Sequence, residues 1–512
     1  MVVFEMNQSM DVLLINVPIA FNMNENLEPP LGVTYMGAML RKHGHNPAIK
    51  DYEVEEFDPD VFKKYIAENP PSFVGISSRT ASYSSAKYLT ELVKEVNDGV
   101  CVVLGGHHVT VYDRQSIDES RADIVVRGEG EIAVLDILEV LEGEKDISSV
   151  DGITYRKSSF PTNTNGSAEA NGADNIRNKD RTEYNDLDSL PFPAWDLLPL
   201  HRYTVSNVIT SRGCPYSCTF CAAPILSGKK LRHHSKEYVL RNISLLYHTY
   251  GIREIHIVDD NFTQDIEYAK MIVRGIIGLN LDISIAMPNG IRMDYLDDEL
   301  LVLLKEAGLY LVSIAVESGN DEILKDMKKG TKVHKVHRDV NLIKKHGFDI
   351  AAFFILGYPG ETMETIKDTI ALSLKLPLLR ANYFTYLPLP GTESYHKLEE
   401  TGEIKNVDWD NFYMMGAPYT PKGISREDLL EIKRKAFLKF YLRPSILIRN
   451  ILGVKSFNHF KFLFKRFCNW IIIKNHVALE IKPVDTATED HTASEIKPPD
   501  KKVAQFGVGT SS

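Results

Sequence analysis

From Asp11 to about Gly143 the chain alternates short apolar blocks with amphipathic stretches. "DVLLINVP", "FVGISS", "CVVLGG" and "ADIVVRGEGE" are apolar almost throughout. "LGVTYMGAMLRKHGH" and "SSAKYLTELVKEVNDG" instead space their apolar residues as a helix does, the first ending at Gly44. A strand with no polar face must be covered on both sides. The pattern therefore predicts a doubly wound parallel sheet between helices, read as five-stranded with these four blocks among its strands. A second series runs from Tyr203 to about Glu393. Its apolar blocks are "TVSNVITS", "EIHIVDD", "DISIAM", "YLVSIAVES", "DIAAFFILG" and "ANYFTYLPL", with helical patterns such as "DDELLVLLKEAG" between them. These are six βα units, able to lie as an open sheet or curl into a partial barrel. Either way function belongs at the C-terminal strand ends. Those ends carry Cys214 onward, Asp259 to Asn261, Asn289 with Arg292, Glu317 with Ser318, Gly357 to Gly360, and Pro388 with Pro390.

Between the two series, Lys157 to Lys179 is rich in Ser, Asn and Gly. Too polar to bury a core, it reads as a flexible insertion. "SLPFPAWDLLPL" follows as an extended segment docked on a surface. Beyond Asp408 the pattern is helical. It ends in the basic, aromatic "RPSILIRNILGVKSFNHFKFLFKRFCNWIIIK" and then a polar tail expected to be disordered. The expected organisation is a first domain over 1–150, a linker over 151–200, a barrel core over 201–400, a helical region over 401–475 and a tail over 476–512.

The 512 residues are 44% hydrophobic and 25% charged, the balance of a globular protein. A net charge of -10 argues against a phosphate-reading surface, so no nucleic-acid partner is expected. Five cysteines make no disulfide scaffold and suggest a reducing cytoplasm. No apolar run approaches the ~18 residues of a membrane span. The basic aromatic stretch reads either as helices packed on the barrel or as an amphipathic contact with a membrane surface or lipidic substrate.

Three of the five cysteines stand in "CPYSCTFC", as Cys214, Cys218 and Cys221. Three readings compete. Buried structural thiols are one. A zinc site recruiting His233 or His234 is another. The third is a four-iron cluster on three thiolates, with one iron left open to a non-protein ligand. Cys101, in an apolar strand, and Cys468 are read as packing residues.

"RGCPYSCTFC" resembles the signature of the radical S-adenosylmethionine (SAM) enzymes. The resemblance implies a [4Fe-4S] cluster on Cys214, Cys218 and Cys221, with SAM chelating the fourth iron. It also implies reductive SAM cleavage to a 5′-deoxyadenosyl radical, a partial (β/α)6 barrel, and a reductant such as flavodoxin or ferredoxin. Carried over strand by strand, Phe220 offers backbone to the adenine and Asp260 and Asn261 receive the methionyl amino group. Arg292 reaches the SAM carboxylate or makes a strand-end salt bridge. Glu317, in "VESG", accepts from the ribose hydroxyls, or is a surface-paired Glu. Gly357, in "LGYPGET", lets backbone approach the adenine, or marks a plain turn. "PLPGTE" resembles the sixth strand end.

The first domain resembles the cobalamin-binding domain of the B12-dependent subclass. The matching stretches are "EPPLG" (Glu28–Gly32), "GISSRT" (Gly75–Thr80), "LGGHHVT" (Leu104–Thr110) and "RGEGE" (Arg127–Glu131). They nominate Ser77, Ser78, Thr80, Gly105, Gly106, His107, Gly128 and Glu129 as cobalamin contacts, with Ser78, Arg79 and Thr80 near its lower face. The D-x-H-x-x-G cobalt-ligating motif is absent, which implies cobalamin without a His beneath the metal. His107 and His108 are corrin contacts or exposed loop histidines. The expected activity is C-methylation of an unactivated carbon through methylcobalamin. Oxidative ring closure without methyl transfer is the alternative, and a cobalamin-binding sensor or carrier the alternative of another class. The substrate is not legible, and Tyr383, Tyr386 and Tyr413 line a pocket or pack in the core.

Overall fold

The computed structural model describes residues 10–18, 28–160, 174–203, 205–405, 407–409, 412–452 and 461. The first domain is built on a seven-stranded sheet. Its strands are β1 (Asp11–Asn16), β2 (Asn46–Asp51), β3 (Phe73–Ser77), β4 (Cys101–Gly105), β5 (Ile124–Val126), β6 (Ile153–Arg156) and β7 (Asn175–Arg177), in the order β2-β1-β3-β4-β5-β6-β7. The first five are parallel, as expected of a doubly wound sheet. Alternation within a strand supplies both faces. Val12 and Leu14 join the core under one face, Leu13 and Ile15 the core under the other.

Two features depart from the sequence pattern. β2, "NPAIKD", alternates buried and partly exposed residues because it is the edge strand, so its hydrophobic signal is weak. β6 and β7 add antiparallel to the far edge. β7 lies inside the stretch read as a flexible insertion. Main-chain pairing with β6 orders it without an apolar side-chain pattern, while 161–173 lie outside the described residues.

The second domain opens with β8 (Ser206–Val208), followed by the short antiparallel pair β9 (Ser211–Arg212) and β10 (Arg232–His233). β11 (Glu254–Ile257), β12 (Ser284–Ala286), β13 (Leu311–Glu317), β14 (Asp349–Leu356) and β15 (Arg380–Thr385) complete it. β8, β11 and β12 form one parallel sheet and β13, β14 and β15 another. Parallel bridges Ile285–Leu309 and Ile291–Ile314 join them into six strands in chain order. The row curls: Ser394, in the helix after β15, donates its N–H to Thr219 O beside β9 at 2.9 Å. This is the partial (β/α)6 barrel. Side chains that the sequence places at loop ends cap the outer helices, among them Ser235, Asp265, Asp297 and Thr362. Helix Arg426–Tyr441 covers the edge at β15, where Tyr441 OH accepts from Ala381 N at 3.3 Å.

The expected tail, Cys468 and most of the basic aromatic stretch lie outside the described residues. Among the described residues no helix is long and apolar enough to cross a membrane. Ile314 of β13 is fully buried in the barrel core. Ile314→Ala should lower the unfolding free energy by about 2–5 kcal/mol, read from the denaturant midpoint.

Candidate functional site

The cysteine loop leaves the barrel between β9 and helix Ala223–Ser227. Gly213 starts it with φ +96°, and an added Cβ would lie 2.2 Å from Lys230 O, so only glycine fits. Gly213 N–H donates to Asp260 Oδ2 at 3.4 Å, which ties the loop to the end of β11. Thr219 pins the far side. Its N–H donates to Met327 O at 3.1 Å, and its hydroxyl pairs with Tyr358 OH at 2.7 Å. Cys214, Cys218 and Cys221 are free thiols, all partly exposed. Burial, then the neighbouring thiols, pushes Cys221 up to about 11, and burial also raises Cys214. Among the described residues no three His, Cys, Asp or Glu side chains stand close enough to hold a single metal ion. His233 lies against the Tyr268 ring at 4.0 Å. His234 stacks on Tyr238 at 4.0 Å and bonds Asp188 at 3.1 Å. His234 thus commits one ring nitrogen to Asp188 and leaves the other without a partner. A cubane takes each thiolate on a different iron, and three thiols on one loop suit that donor set.

The other strand ends converge on this loop. Arg292 lays its guanidinium 3.7 Å from the centre of the Tyr216 ring, within the loop itself, and bonds Asp294 and Lys329 O at 2.6 and 3.0 Å. Its Nε is buried without a partner, as is Oδ1 of Asn261. A donor and an acceptor left without partners suit a zwitterionic amino acid ligand. Asp259 instead accepts from Thr210 N and Ser211 Oγ, both at 2.7 Å, so it braces the passage from β8 into β9. Asp260 has its carboxyl raised by burial. Glu317 is not surface-paired: it is buried, with Lys329 Nζ 2.8 Å away. Phe220 packs beside Tyr358 and Tyr386. Gly357 donates its N–H to Glu361 at 2.6 Å, and Leu429 fills the space beside its Cα. Glu361, which the sequence reading passed over, holds that turn; burial pushes its carboxyl up to about 7. Tyr383 and Tyr386 are core residues, bonded to Ser373 and Ser394.

In the first domain the nominated residues gather at the C-terminal sheet edge. A Cβ at Gly105 or Gly128 would meet nothing within 4 Å, so both backbones face open space where a large planar ligand can lie. Gly106 answers a different constraint. With φ +106°, its Cβ would fall 2.2 Å from Ser78 O. Ser77 ends β3, and Ser78 is buried with its N–H on Gly105 O at 2.7 Å. Thr80 Oγ1 stands 3.4 Å from His107 Nδ1. The histidines are not exposed. The turn at Gly106 folds both inward, leaving His107 Nε2 buried and unpartnered and His108 stacked 4.0 Å from Tyr83 with Trp409 edge-on. Burial lowers His108 to about 3, so it is neutral.

Glu129 turns toward the barrel. Arg212 and Arg232 donate to its carboxylate at 3.1 and 2.8 Å, and Arg212 also reaches Glu131 at 2.7 Å. A second bridge runs from Glu28 to His256 of β11 at 2.9 Å, and Glu254 holds the other ring nitrogen at 3.1 Å. Tyr203 donates to Asp51 at 2.6 Å. Apart from Glu254 with His256, two residues away on the same strand, none of these pairings was legible, because the partners lie far apart in sequence. Between the domains lies a cleft of about 310 Å³. Gly128, Glu129 and Glu131 line one side, and Pro224, Ile225 and Gly228, just past the cysteine loop, line the other.

Residues 208–373 match the model of the Radical SAM superfamily and residues 23–138 that of the B12 binding domain. An uncharacterised methyltransferase of Pyrococcus horikoshii is 31% identical over 86% of this chain and 92% of its own length. The chain belongs to the B12-binding radical SAM family. Within that family, the cytidylyl-2-hydroxyethylphosphonate methyltransferase of Streptomyces wedmorensis is 29% identical, over 79% of this chain and 85% of its own. The solved cobalamin-dependent radical enzyme OxsB has the same fold. It superposes with a TM-score of 0.69 at 17% identity, over 90% of this chain and 70% of that one. The cofactors of this B12-binding radical SAM protein are a [4Fe-4S] cluster, SAM and cobalamin, and reduction of the cluster requires an electron donor.

The domain junction gives two predictions. Arg212→Met leaves Glu129 and Glu131 buried against a lost charge and should cost about 3–5 kcal/mol in thermal or denaturant unfolding. Burial opposes protonation of His256, but Glu254 and Glu28 outweigh it and hold its pKa at about 9. A raised folded pKa gives stability that is complete below the ordinary value of ~6.5 and is lost as pH climbs through 9. The stability difference between wild type and His256→Gln should therefore shrink between those pH values.

Proposed function

We propose that this chain methylates an unactivated carbon of its substrate, using SAM both as radical source and as methyl donor to cobalamin. The observation that carries the reading is the shared cleft. One wall comes from the sheet edge of the B12-binding domain, the other from the helix that follows the three-cysteine loop. Radical formation and methyl supply have to meet over one substrate atom, and a common opening suits that need.

When bound, the cluster and SAM supply a hydrogen-abstracting radical and cobalamin supplies a methyl group. In this reading Cys214, Cys218 and Cys221 hold the cluster. Asn261 Oδ1 and Asp260 accept from the SAM ammonium, and the Arg292 Nε–H donates to its carboxylate. Glu317 accepts from the ribose, and the backbones at Phe220 and Gly357 border the adenine. Ser77, Ser78, Thr80, Gly105, Gly106, His107, Gly128 and Glu129 form the cobalamin side. There Gly105 and Gly128 leave room, and Glu129 acts through its hold on Arg212 and Arg232. A flavodoxin or ferredoxin is the reductant in a reducing cytoplasm, and the substrate is a small molecule, lipid or peptide.

Anaerobic reconstitution with iron, sulfide and cobalamin tests the reading. 5′-Deoxyadenosine and S-adenosylhomocysteine should form together. The first alone would indicate ring closure or another radical reaction, and neither would sink the proposal. Cys221→Ala should reduce SAM cleavage to background while cobalamin still binds. A sensor or carrier would keep its cobalamin-dependent behaviour in that variant.

A further inference from the structure

The turn Met327–Gly330 wraps the cysteine loop and carries a charge that the proposed function leaves without a task. Met327 O accepts from Thr219 N at 3.1 Å. Lys328 O faces Cys218 Sγ at 3.9 Å. Lys329 O accepts from Arg292, which covers the Tyr216 ring. Lys328 and Gly330, on either side of Lys329, have φ of +50° and +75°. A non-glycine residue with positive φ is strained. This backbone sends the side chain of Lys329 inward. Its Nζ is buried, 2.8 Å from Glu317 Oε1 and 5.9 Å from the centre of the Phe220 ring.

Glu317 is strained too, with φ +66° where the register of β13 against β14 breaks. Two left-handed, non-glycine backbones therefore flank or hold a single buried ion pair. Such a pair stabilises a fold poorly, because desolvation consumes most of its attraction. The strain calls for another use. Lys329 follows directly on the carbonyl that faces Cys218, and its Nζ approaches the ring of Phe220, the residue before Cys221, so its charge stands beside the cysteine loop as well as against Glu317. The positive member of the pair thus belongs to the turn that wraps the thiols.

We infer that the Lys329–Glu317 pair sets the electrical potential at the cysteine loop, with Lys329 making the metal group easier to reduce and Glu317 restraining it. The inference rests on the reading that this loop carries a four-iron cluster. A fixed charge beside a cluster shifts its reduction potential through space and needs no bond to it.

The test is a potentiometric titration of reconstituted protein, without SAM or substrate, followed by electron paramagnetic resonance. Lys329→Met should move the midpoint to more negative potential and Glu317→Gln to more positive potential. A purely structural pair would shift both variants alike, shift neither, or cost both the cluster, and any of these results overturns the inference. If Lys329→Met does not fold, Glu317→Gln decides alone: a positive shift supports the assignment, and no shift or a negative one overturns it. A wild-type protein that binds no four-iron cluster would overturn the underlying reading as well. An intact wild-type cluster with same-sign shifts removes only this inference.

Discussion

The Arg212 guanidinium is the joint on which the two domains turn. It is buried at the end of β9, one residue before Gly213 opens the cysteine loop; its two terminal nitrogens donate to Glu129 and Glu131 of the first sheet's edge, and its Nε is left without a partner. Tyr35 lies 5.2 Å beneath it. A buried guanidinium tolerates few arrangements, since each unpaired N–H costs desolvation that nothing returns. The joint therefore contributes orientation more than stability. It fixes the sheet edge opposite the barrel mouth, and Arg232 repeats the constraint from β10.

The loop that follows is held by main-chain bonds rather than by its own thiols. Asp260 at the end of β11, Met327 at the end of helix Asp321–Asp326 and Ser394 in helix Glu393–Glu400 each bond its backbone. Arg292, Lys329 and Glu317 stand around it, so the site is ringed by charge even though the chain as a whole is acidic. Burial strengthens these charges, because little water remains to screen them.

Both repeats were legible because the middles of parallel strands buried on two faces must be apolar, and those of β1, β3, β4, β13 and β14 are almost entirely so. The cysteine spacing was legible because three thiols within eight residues have few uses. β2 escaped notice because an edge strand has one half-exposed face, and β7 because backbone pairing leaves no mark on side-chain pattern. For His107 and His108 the sequence left two readings open, corrin contacts or exposed loop residues. Polar residues in a glycine-rich loop read as exposed, yet the turn at Gly106 buries both.

The sequence by itself determined the two-domain α/β plan, the three-thiol loop and the strand ends that surround it, since these follow from local period and spacing. Only the tertiary structure decided what those residues do to one another. Glu129 became a counter-ion for Arg212 and Arg232, Glu28 a partner of His256, and Glu317 the mate of Lys329. Such pairings depend on which distant segments are brought within hydrogen-bond reach, and a carboxylate in a linear sequence looks the same whether it will meet a cation, a ligand or water.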